Sequence, residues 1–469
     1  MSVILPPPAS FETETNVLIV GAGACGLTAA LAAGEHTDAV LLLERDAQPT
    51  GSTALSSGFI PAGGTRFQTD ADSPGQFAKD IAAKAKNKQD AALTEIVTSA
   101  ISPTLEWLAD RHGLVWEVLD SFTYPGHSTH RMHAVPEKTG EALMTRLQAA
   151  AAHIPIATRA VAETLFVSDD RIKGVRIKRP DGTLEDIGCE NLILACNGYG
   201  GNPALVNQHI PEMREALYFG HVGNQGEAIR WGAALGADLL HLSGYQGHGS
   251  VVHPHGILIT WALMMEGGIQ VNSLGKRFAN EHGGYSEASV DVLSQQGGTA
   301  FAIYDARLHD LGLQFPDYQR ALQAGAVQTE SSIDALAQRI NLPPKTLAET
   351  IKQTTEMQEG KIHDVFGRDF TGRPKLSPPY YAIQITGALF HTQGGLRVNQ
   401  NAQVMKPNGT PFDNLYAGGG AACGVSGPHV SGYLSGNGLL TAFALGAISG
   451  NQVVHKDAFA PDPIRLVCK

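Results

Sequence analysis

The run Gly21-Ala-Gly23-Ala24-Cys25-Gly26 constrains this chain more than any other stretch. Ahead of it lies the apolar run Asn16-Val-Leu-Ile-Val20, and behind it an alanine-rich apolar segment over residues 27–33. Ala39-Val-Leu-Leu-Leu43 follows and ends at Glu44. Strand, glycine turn, helix and strand in that order predict a βαβ unit of the dinucleotide-binding kind. Gly21 makes the turn, Gly23 lets the backbone approach a pyrophosphate, and Gly26 allows close packing of helix on strand. The helix amino terminus adds N–H groups and the positive end of its dipole. Glu44 can accept both ribose hydroxyls. Its neighbour Arg45 is the one basic residue near a 2′-phosphate, and strand alternation turns it to the other face.

A glycine motif alone does not name the dinucleotide; two later segments do. Gly51-Ser52-Thr53-Ala-Leu-Ser56-Ser57-Gly58 follows Glu44 closely, and Leu415-Tyr-Ala-Gly-Gly419-Gly420 precedes an apolar helix expected over residues 438–450. Small residues at both places let the backbone lie against an isoalloxazine ring and offer N–H groups to its pyrimidine oxygens. A helix beginning near Gly438 would stabilise the reduced, anionic ring through its amino terminus. The expected cofactor is FAD.

At 469 residues the chain exceeds one small core, so two or three domains are expected. The fold class read from the patterning is α/β: a Rossmann-type FAD-binding domain over residues 11–243 and 379–469, interrupted by an α+β cap over residues 244–378. Within the first part, residues 70–113 read as helix, and residues 161–179 as antiparallel strands turning at Asp169-Asp170 and Pro180-Asp181-Gly182. Residues 191–195 return to a buried strand, before Asn197-Gly198. The net charge of −11 comes without a basic block, which argues against nucleic acid or an anionic membrane surface. No secretory signal is visible at the amino terminus and no run of 18 apolar residues occurs, so a cytoplasmic protein without a membrane span is expected. Cys25, Cys189, Cys196, Cys423 and Cys468 are scattered without a CxxC pair. Zinc, a dithiol couple and a disulfide framework are therefore not expected, nor is any other metal.

Taken together, residues 17–26, Glu44, 51–58, 193–202, Val271-Asn-Ser-Leu-Gly-Lys-Arg-Phe-Ala-Asn-Glu281, His391-Thr-Gln-Gly-Gly395 and 415–450 resemble the fumarate reductase/succinate dehydrogenase flavoprotein superfamily. That superfamily includes the soluble flavocytochrome c fumarate reductases and the 3-ketosteroid dehydrogenases. The resemblance implies an FAD domain with a mobile cap. In the membrane succinate dehydrogenases a histidine near the first serine-rich segment carries FAD covalently; residues 51–58 hold none, so FAD is expected to be non-covalent. Gly21, Gly23, Ala24, Cys25, Gly26, Glu44, Arg45, Gly51, Ser52, Thr53, Ser56, Ser57, Gly58, Val161, Asn197, Gly198, Gly419, Gly420, Gly436, Asn437 and Leu439 are the expected cofactor contacts.

Departures from the resemblance bear on substrate. Fumarate reductases use one arginine as proton donor and another to clamp a carboxylate. At the first position this chain has Tyr285, within Asn280-Glu-His-Gly-Gly-Tyr-Ser-Glu287; at the second it has Tyr433, within Tyr-Leu-Ser-Gly436-Asn437. A phenol does not replace a guanidinium. Tyrosines at both places are what the 3-ketosteroid dehydrogenases resemble. There a tyrosine and a backbone N–H polarise a ketone, and a second tyrosine takes the α-proton while the β-hydrogen leaves as hydride. On that reading Tyr433 with the N–H of Gly436 or Asn437 forms the oxyanion hole, Tyr285 is the base, and Tyr124 assists it. His391 matches a substrate-binding histidine of fumarate reductases. His253 resembles another, with a shorter gap to Gly268. Arg277 reads as structural. His127, His130, Arg131 and His133 form either a polar wall, an anion pocket or a solvated loop.

The expected activity is α,β-desaturation of a cyclic ketone smaller than a steroid, or its reversal on an enone, with an external electron acceptor. Two alternatives stand beside it. One is a carboxylate substrate, held by Arg131 and the histidines. The other is a flavin-binding electron carrier or partner subunit, though no haem CxxCH and no cluster cysteines accompany the flavin.

Overall fold

The computed structural model describes residues 3–120 and 123–453; Cys468 lies outside them. The chain divides into two units: residues 1–210, 220–245 and 391–469 form the first, residues 211–219 and 246–390 the second.

In the first unit the strand Thr13–Val20 runs parallel to Val40–Leu43 on one side and to Leu184–Leu194 on the other. Leu184–Leu194 is also parallel to Pro411–Ala417. Val17, Leu18 and Ile19 are fully buried, as expected of parallel strands covered on both faces. Register then fixes the site. Val20 lies opposite Leu43 and Leu194, and Leu194 opposite Ala417, so four strands end in one row. Gly21, Glu44, Ala195 and Gly418 leave that row together, at the carboxyl edge where open α/β sheets bind ligands. On the far side Val161–Ser168 and Arg171–Lys178 pair antiparallel, through a turn in which Asp169 and Asp170 take positive φ. Strand Arg171–Lys178 in turn pairs antiparallel with Leu184–Leu194. Helices Pro74–Lys84 and Ala91–His112 fill residues 70–113.

The helix after the glycine motif, Ala24–Gly34, packs against Asn437–Gln452. Glycines bring the two close: a Cβ at Gly446 would stand 2.7 Å from the Cys25 carbonyl oxygen, and one at Gly450 2.2 Å from that of Ala29.

The second unit is built on a sheet ordered Ile257–Leu258, Tyr245–Val252, Tyr380–Thr392, Thr299–Asp305 and Ile269–Val271, with Leu217–Tyr218 and Val327–Glu330 also on Tyr380–Thr392. Helices Tyr285–Leu293, Ile333–Arg339 and Pro344–Gln358 belong to it. Its far end differs from the expectation of residue 378. Strand Tyr380–Thr392 pairs residue by residue with Thr299–Asp305, from Tyr380 opposite Asp305 to Thr386 opposite Thr299. That pairing keeps residues 379–390 in the second unit, and the first resumes at His391. Among the described residues no helix is long and apolar enough to cross a membrane.

Candidate active site

The glycine motif behaves as its spacing requires. Gly21 has φ +102°, and a Cβ there would meet the Ala195 carbonyl oxygen at 2.5 Å; one at Gly26 would lie 1.8 Å from the Gly21 oxygen. Gly23 is different: its Cβ would meet only Thr53 Oγ1, at 3.8 Å. Open space therefore faces the amino terminus of Ala24–Gly34, whose cap at Gly23 supplies no side-chain bond. The Ala24 N–H reaches Thr53 Oγ1 at 3.3 Å.

Glu44 is buried and accepts from the N–H groups of Ala22 at 3.1 Å and Asp46 at 3.0 Å. Burial raises its pKa, and these two N–H groups oppose the rise. Arg45 forms an ion pair with Glu227 at 3.3 Å, so its charge is already engaged. The Ala160 N–H bonds the Glu44 carbonyl at 2.8 Å, which sets Val161 beside this strand end. Ser52 Oγ gathers the His221 N–H, Asn224 Nδ2 and Asn197 Nδ2 at 3.2, 2.9 and 3.2 Å. Ser56 Oγ donates to the Thr53 carbonyl and accepts from the Gly58 N–H, closing the turn from the short helix Gly51–Ala54, while Ser57 is exposed. Asn197 has φ +64° and accepts the Gly198 N–H at 2.8 Å on Oδ1. A Cβ at Gly420 would collide with that oxygen at 2.1 Å, and Gly419 takes φ +56°. The Cys25 thiol points inward beneath Gly418, and burial pushes its pKa to about 12. Cys25 therefore presents no thiolate.

Around the start of Asn437–Gln452 lies a buried polar chain. Asn437 Nδ2 donates to Ser426 Oγ at 2.9 Å, Ser426 Oγ to Gln393 Oε1 at 2.6 Å, and Gln393 Nε2 stands 3.1 Å from His391 Nδ1. Asn437 Oδ1 is buried with no partner among the described residues. A buried orphan acceptor beside a helix amino terminus, a glycine cradle with open space and a buried ribose-type carboxylate together fit FAD.

Tyr433 is buried at that same helix start. Its ring stands edge-on to His391, centroids 5.4 Å apart. Burial raises the phenol's pKa, the backbone at Gly438 and Gly436 opposes the rise, and Tyr124 adds to it. Burial likewise raises Tyr124, to about 12, and lowers His391 to about 4, leaving a neutral phenol and a neutral imidazole. Of the two N–H groups expected beside Tyr433, that of Asn437 is bonded to the Leu434 carbonyl at 3.1 Å, because residues 434–437 close a turn.

In the second unit Tyr285 opens the helix Tyr285–Leu293, after Gly284 at φ +133°. Its ring stacks on His248, which also meets Trp261 edge-on. Burial drives the His248 pKa down to about 3. Nothing in the sequence alone singled out His248. The signal available was the alternation Gly247-His-Gly249: glycines in a strand mark close approach, and a Cβ at Gly247 or Gly249 would strike Ser289 or Ala288 of that helix. His253, by contrast, is exposed.

The basic cluster resolves into buried structure. Arg131 is fully buried, with Asp72 at 3.0 Å and Asp80 at 2.8 Å, and its guanidinium lies over the Phe77 ring. It is no free carboxylate clamp, because two carboxylates already hold it. His133 pairs with Thr65 and His127 with the Ser435 carbonyl, both buried; His130 meets Asp70. Arg277 is structural, bridging Glu281 and Asp364, with Arg368 also on Glu281. Among the described residues no cluster suited to a metal ion occurs.

A family model described as FAD binding domain matches residues 16–439. The chain belongs to this flavoprotein family. Within it the chain is an FAD-dependent oxidoreductase of the fumarate reductase/succinate dehydrogenase superfamily. A probable fumarate reductase of Shewanella frigidimarina is 26% identical over 446 residues, 93% of this chain and 74% of that protein. The urocanate reductase of Eggerthella lenta is 26% identical, over 94% of this chain and 75% of its own length. The NADH:fumarate oxidoreductase of Klebsiella pneumoniae is 25% identical; the match takes in 94% of this chain and 48% of that longer protein. Among solved structures, the open conformation of a flavocytochrome c3 fumarate reductase superposes with a TM-score of 0.81 at 25% identity, covering 95% of this chain and 79% of its own. The 3-ketosteroid-Δ4-(5α)-dehydrogenase of Rhodococcus jostii shares the fold, with a TM-score of 0.75 at 23% identity over 95% and 98% of the two chains.

Proposed function

We propose that this flavoprotein interconverts a ketone and its α,β-unsaturated counterpart, on a cyclic substrate smaller than a steroid, using an external electron partner. The observation that carries the reading is the neutral, phenolic wall at Tyr433. The phenol is buried edge-on to His391, ring centroids 5.4 Å apart. His391 beside it is held neutral. A neutral donor suits a carbonyl oxygen; a carboxylate would go uncompensated in such a setting. FAD, when bound, accepts or supplies the hydride. Tyr433 donates its O–H to the substrate carbonyl and stabilises the charge that grows there, and Tyr285 holds or takes the α-proton. His391 shapes the wall without exchanging a proton.

A second reading, reduction of an unsaturated carboxylate, is favoured by the relatives named for fumarate and urocanate reduction. One experiment separates the two. Purified holoenzyme is given 2-cyclohexenone, fumarate or urocanate with reduced methyl viologen, and cyclohexanone with dichlorophenolindophenol. Turnover with the cyclic ketone or enone and none with the acids supports the proposal; turnover confined to the acids overturns it.

A further inference from the structure

Within the first unit, strand Thr13–Val20 lies between Val40–Leu43 and Leu184–Leu194. A segment bonded to the chain beyond both neighbours therefore spans the edge at which Gly21 turns. Residues 221–227 do this. On the Leu184–Leu194 side the Gly226 N–H bonds the Gly198 carbonyl at 3.1 Å, and the Asn224 carbonyl accepts the Gly201 N–H at 2.9 Å. On the Val40–Leu43 side there are three attachments. His221 Nε2 meets Asp46 Oδ2 at 2.8 Å, Asn224 Nδ2 donates to Ser52 Oγ at 2.9 Å, and Glu227 pairs with Arg45 at 3.3 Å. These anchors border the cofactor's path. The Asp46 N–H is bonded to Glu44, the ribose-type carboxylate, and Ser52 follows Gly51, where a Cβ would come 4.0 Å from Gly23 Cα. We propose that residues 221–224 form a clasp over the adenosine and pyrophosphate half of FAD, with the His221–Asp46 bond as its catch. The catch sets how fast the cofactor enters and leaves, whichever substrate the flavin serves.

The attachments differ in depth. Glu227 is buried at the first turn of the helix Glu227–Leu235, which begins after Gly226 at φ +79°, so this end of the segment is fixed. The side chains of His221 and Asp46 are 20% and 38% exposed, and Val222 is 75% exposed, so the outer face of the clasp is open to solvent. The Gly223 N–H bonds His221 Nδ1 at 3.0 Å, which places the ring proton on Nε2 and aims it at the Asp46 carboxylate. A charge-assisted bond at the surface holds a loop and still breaks without unpacking a core. Such a gate acts on both directions alike. Weakening the catch raises the fraction of time the path is open, so entry and exit quicken together and the Kd stays nearly where it was.

The test needs no substrate. Holoenzyme is chased with excess isotope-labelled FAD and the exchange is followed by mass spectrometry, which gives the release rate; equilibrium dialysis gives the Kd, and the ratio of the two gives the entry rate. His221→Ala and Asp46→Ala are each expected to speed release and entry about three- to tenfold, with the Kd within about twofold of the parent. His221→Gln, whose amide can still donate to Asp46, should exchange flavin at close to the parent rate. The double variant His221→Ala/Asp46→Ala should be no faster than either single one, because one bond is lost in all three. If His221→Ala does not fold, Asp46→Ala and His221→Gln carry the comparison. Release rates unchanged in the alanine variants overturn the proposal, as does an absence of exchange in every protein. Faster release with the Kd weakened in proportion also overturns it and leaves the pair as part of the walls of the site. Effects that multiply in the double variant would show that the two residues act separately, and no catch exists.

Discussion

The imidazole of His248 lies flat on the phenol of Tyr285, ring centroids 4.9 Å apart and planes 21° from parallel. Nδ1 of that imidazole accepts the Ser250 N–H at 3.1 Å, so the ring is pinned to its own strand as well as stacked. A pinned ring narrows the rotamers open to Tyr285. Tyr285→Phe, which keeps the stack and removes the hydroxyl, is expected to lower kcat by about 10²–10⁴ with FAD content unchanged. His248→Ala should give a smaller loss and His248→Phe less still. Stopped-flow flavin reoxidation by 2-cyclohexenone measures all three.

Gly23 and Gly26 are predicted to fail in opposite ways. A side chain at Gly23 enters open space, so Gly23→Val should fold but fill the place of the pyrophosphate, lowering the flavin-to-protein absorbance ratio about tenfold or more. A side chain at Gly26 would sit inside its own turn, 1.8 Å from the Gly21 oxygen. Gly26→Ala should therefore lower soluble yield. Acid precipitation of the parent protein is expected to leave all flavin in the supernatant, because residues 51–58 offer no histidine for attachment.

Arg131→Met strands Asp72 and Asp80 in the interior. The expected cost is about 3–5 kcal/mol of stability, read by urea denaturation of the holoenzyme. KM for the working substrate should not move, since Arg131 has no exposed face to give one. A large rise in KM for an acid substrate would instead restore the carboxylate reading.

Acid should destabilise the fold before it protonates most carboxylates. Burial lowers the pKa of His127, His133 and His391 to about 4, and that of His248 to about 3, below the histidine value of the unfolded chain. Between that value, about 6.5, and the folded values the unfolded state binds more protons, so stability is full above pH ~6.5 and falls as pH drops. Each histidine contributes a slope of roughly 1.4 kcal/mol per pH unit over this window. Urea midpoints should hold from pH 7.5 to about 6.5 and fall from there to pH 4.5; a flat profile would show that these rings are hydrated in solution.

The turn geometry around the glycine motif was legible because it is local. Gly21, Gly23, Gly26 and Glu44 sit in one βαβ unit, and strand register carries Asn197 and Gly419 to the same edge. What escaped depends on packing between distant segments. His248 meets Tyr285 only because two strand glycines let a helix approach. Arg131 looked available in sequence and proved enclosed, since Asp72 and Asp80 reach it from elsewhere. The end of the second unit was misjudged at residue 378 because the residues of Tyr380–Thr392 carry no mark of which sheet they join. Near Tyr433 the sequence did not show that the Asn437 N–H is engaged in closing a turn over residues 434–437.

The close fit between Ala24–Gly34 and Asn437–Gln452 has a consequence for the order of events in the cell. The glycine motif leaves the ribosome early, while the helix that closes on it comes some four hundred residues later, about 20–80 s at ordinary elongation rates. Until then Thr28, Ala29 and Ala32, all buried in the finished protein, wait for part of their cover. The surface that this pair of helices buries is therefore completed only when the carboxyl-terminal end of the described chain has been made.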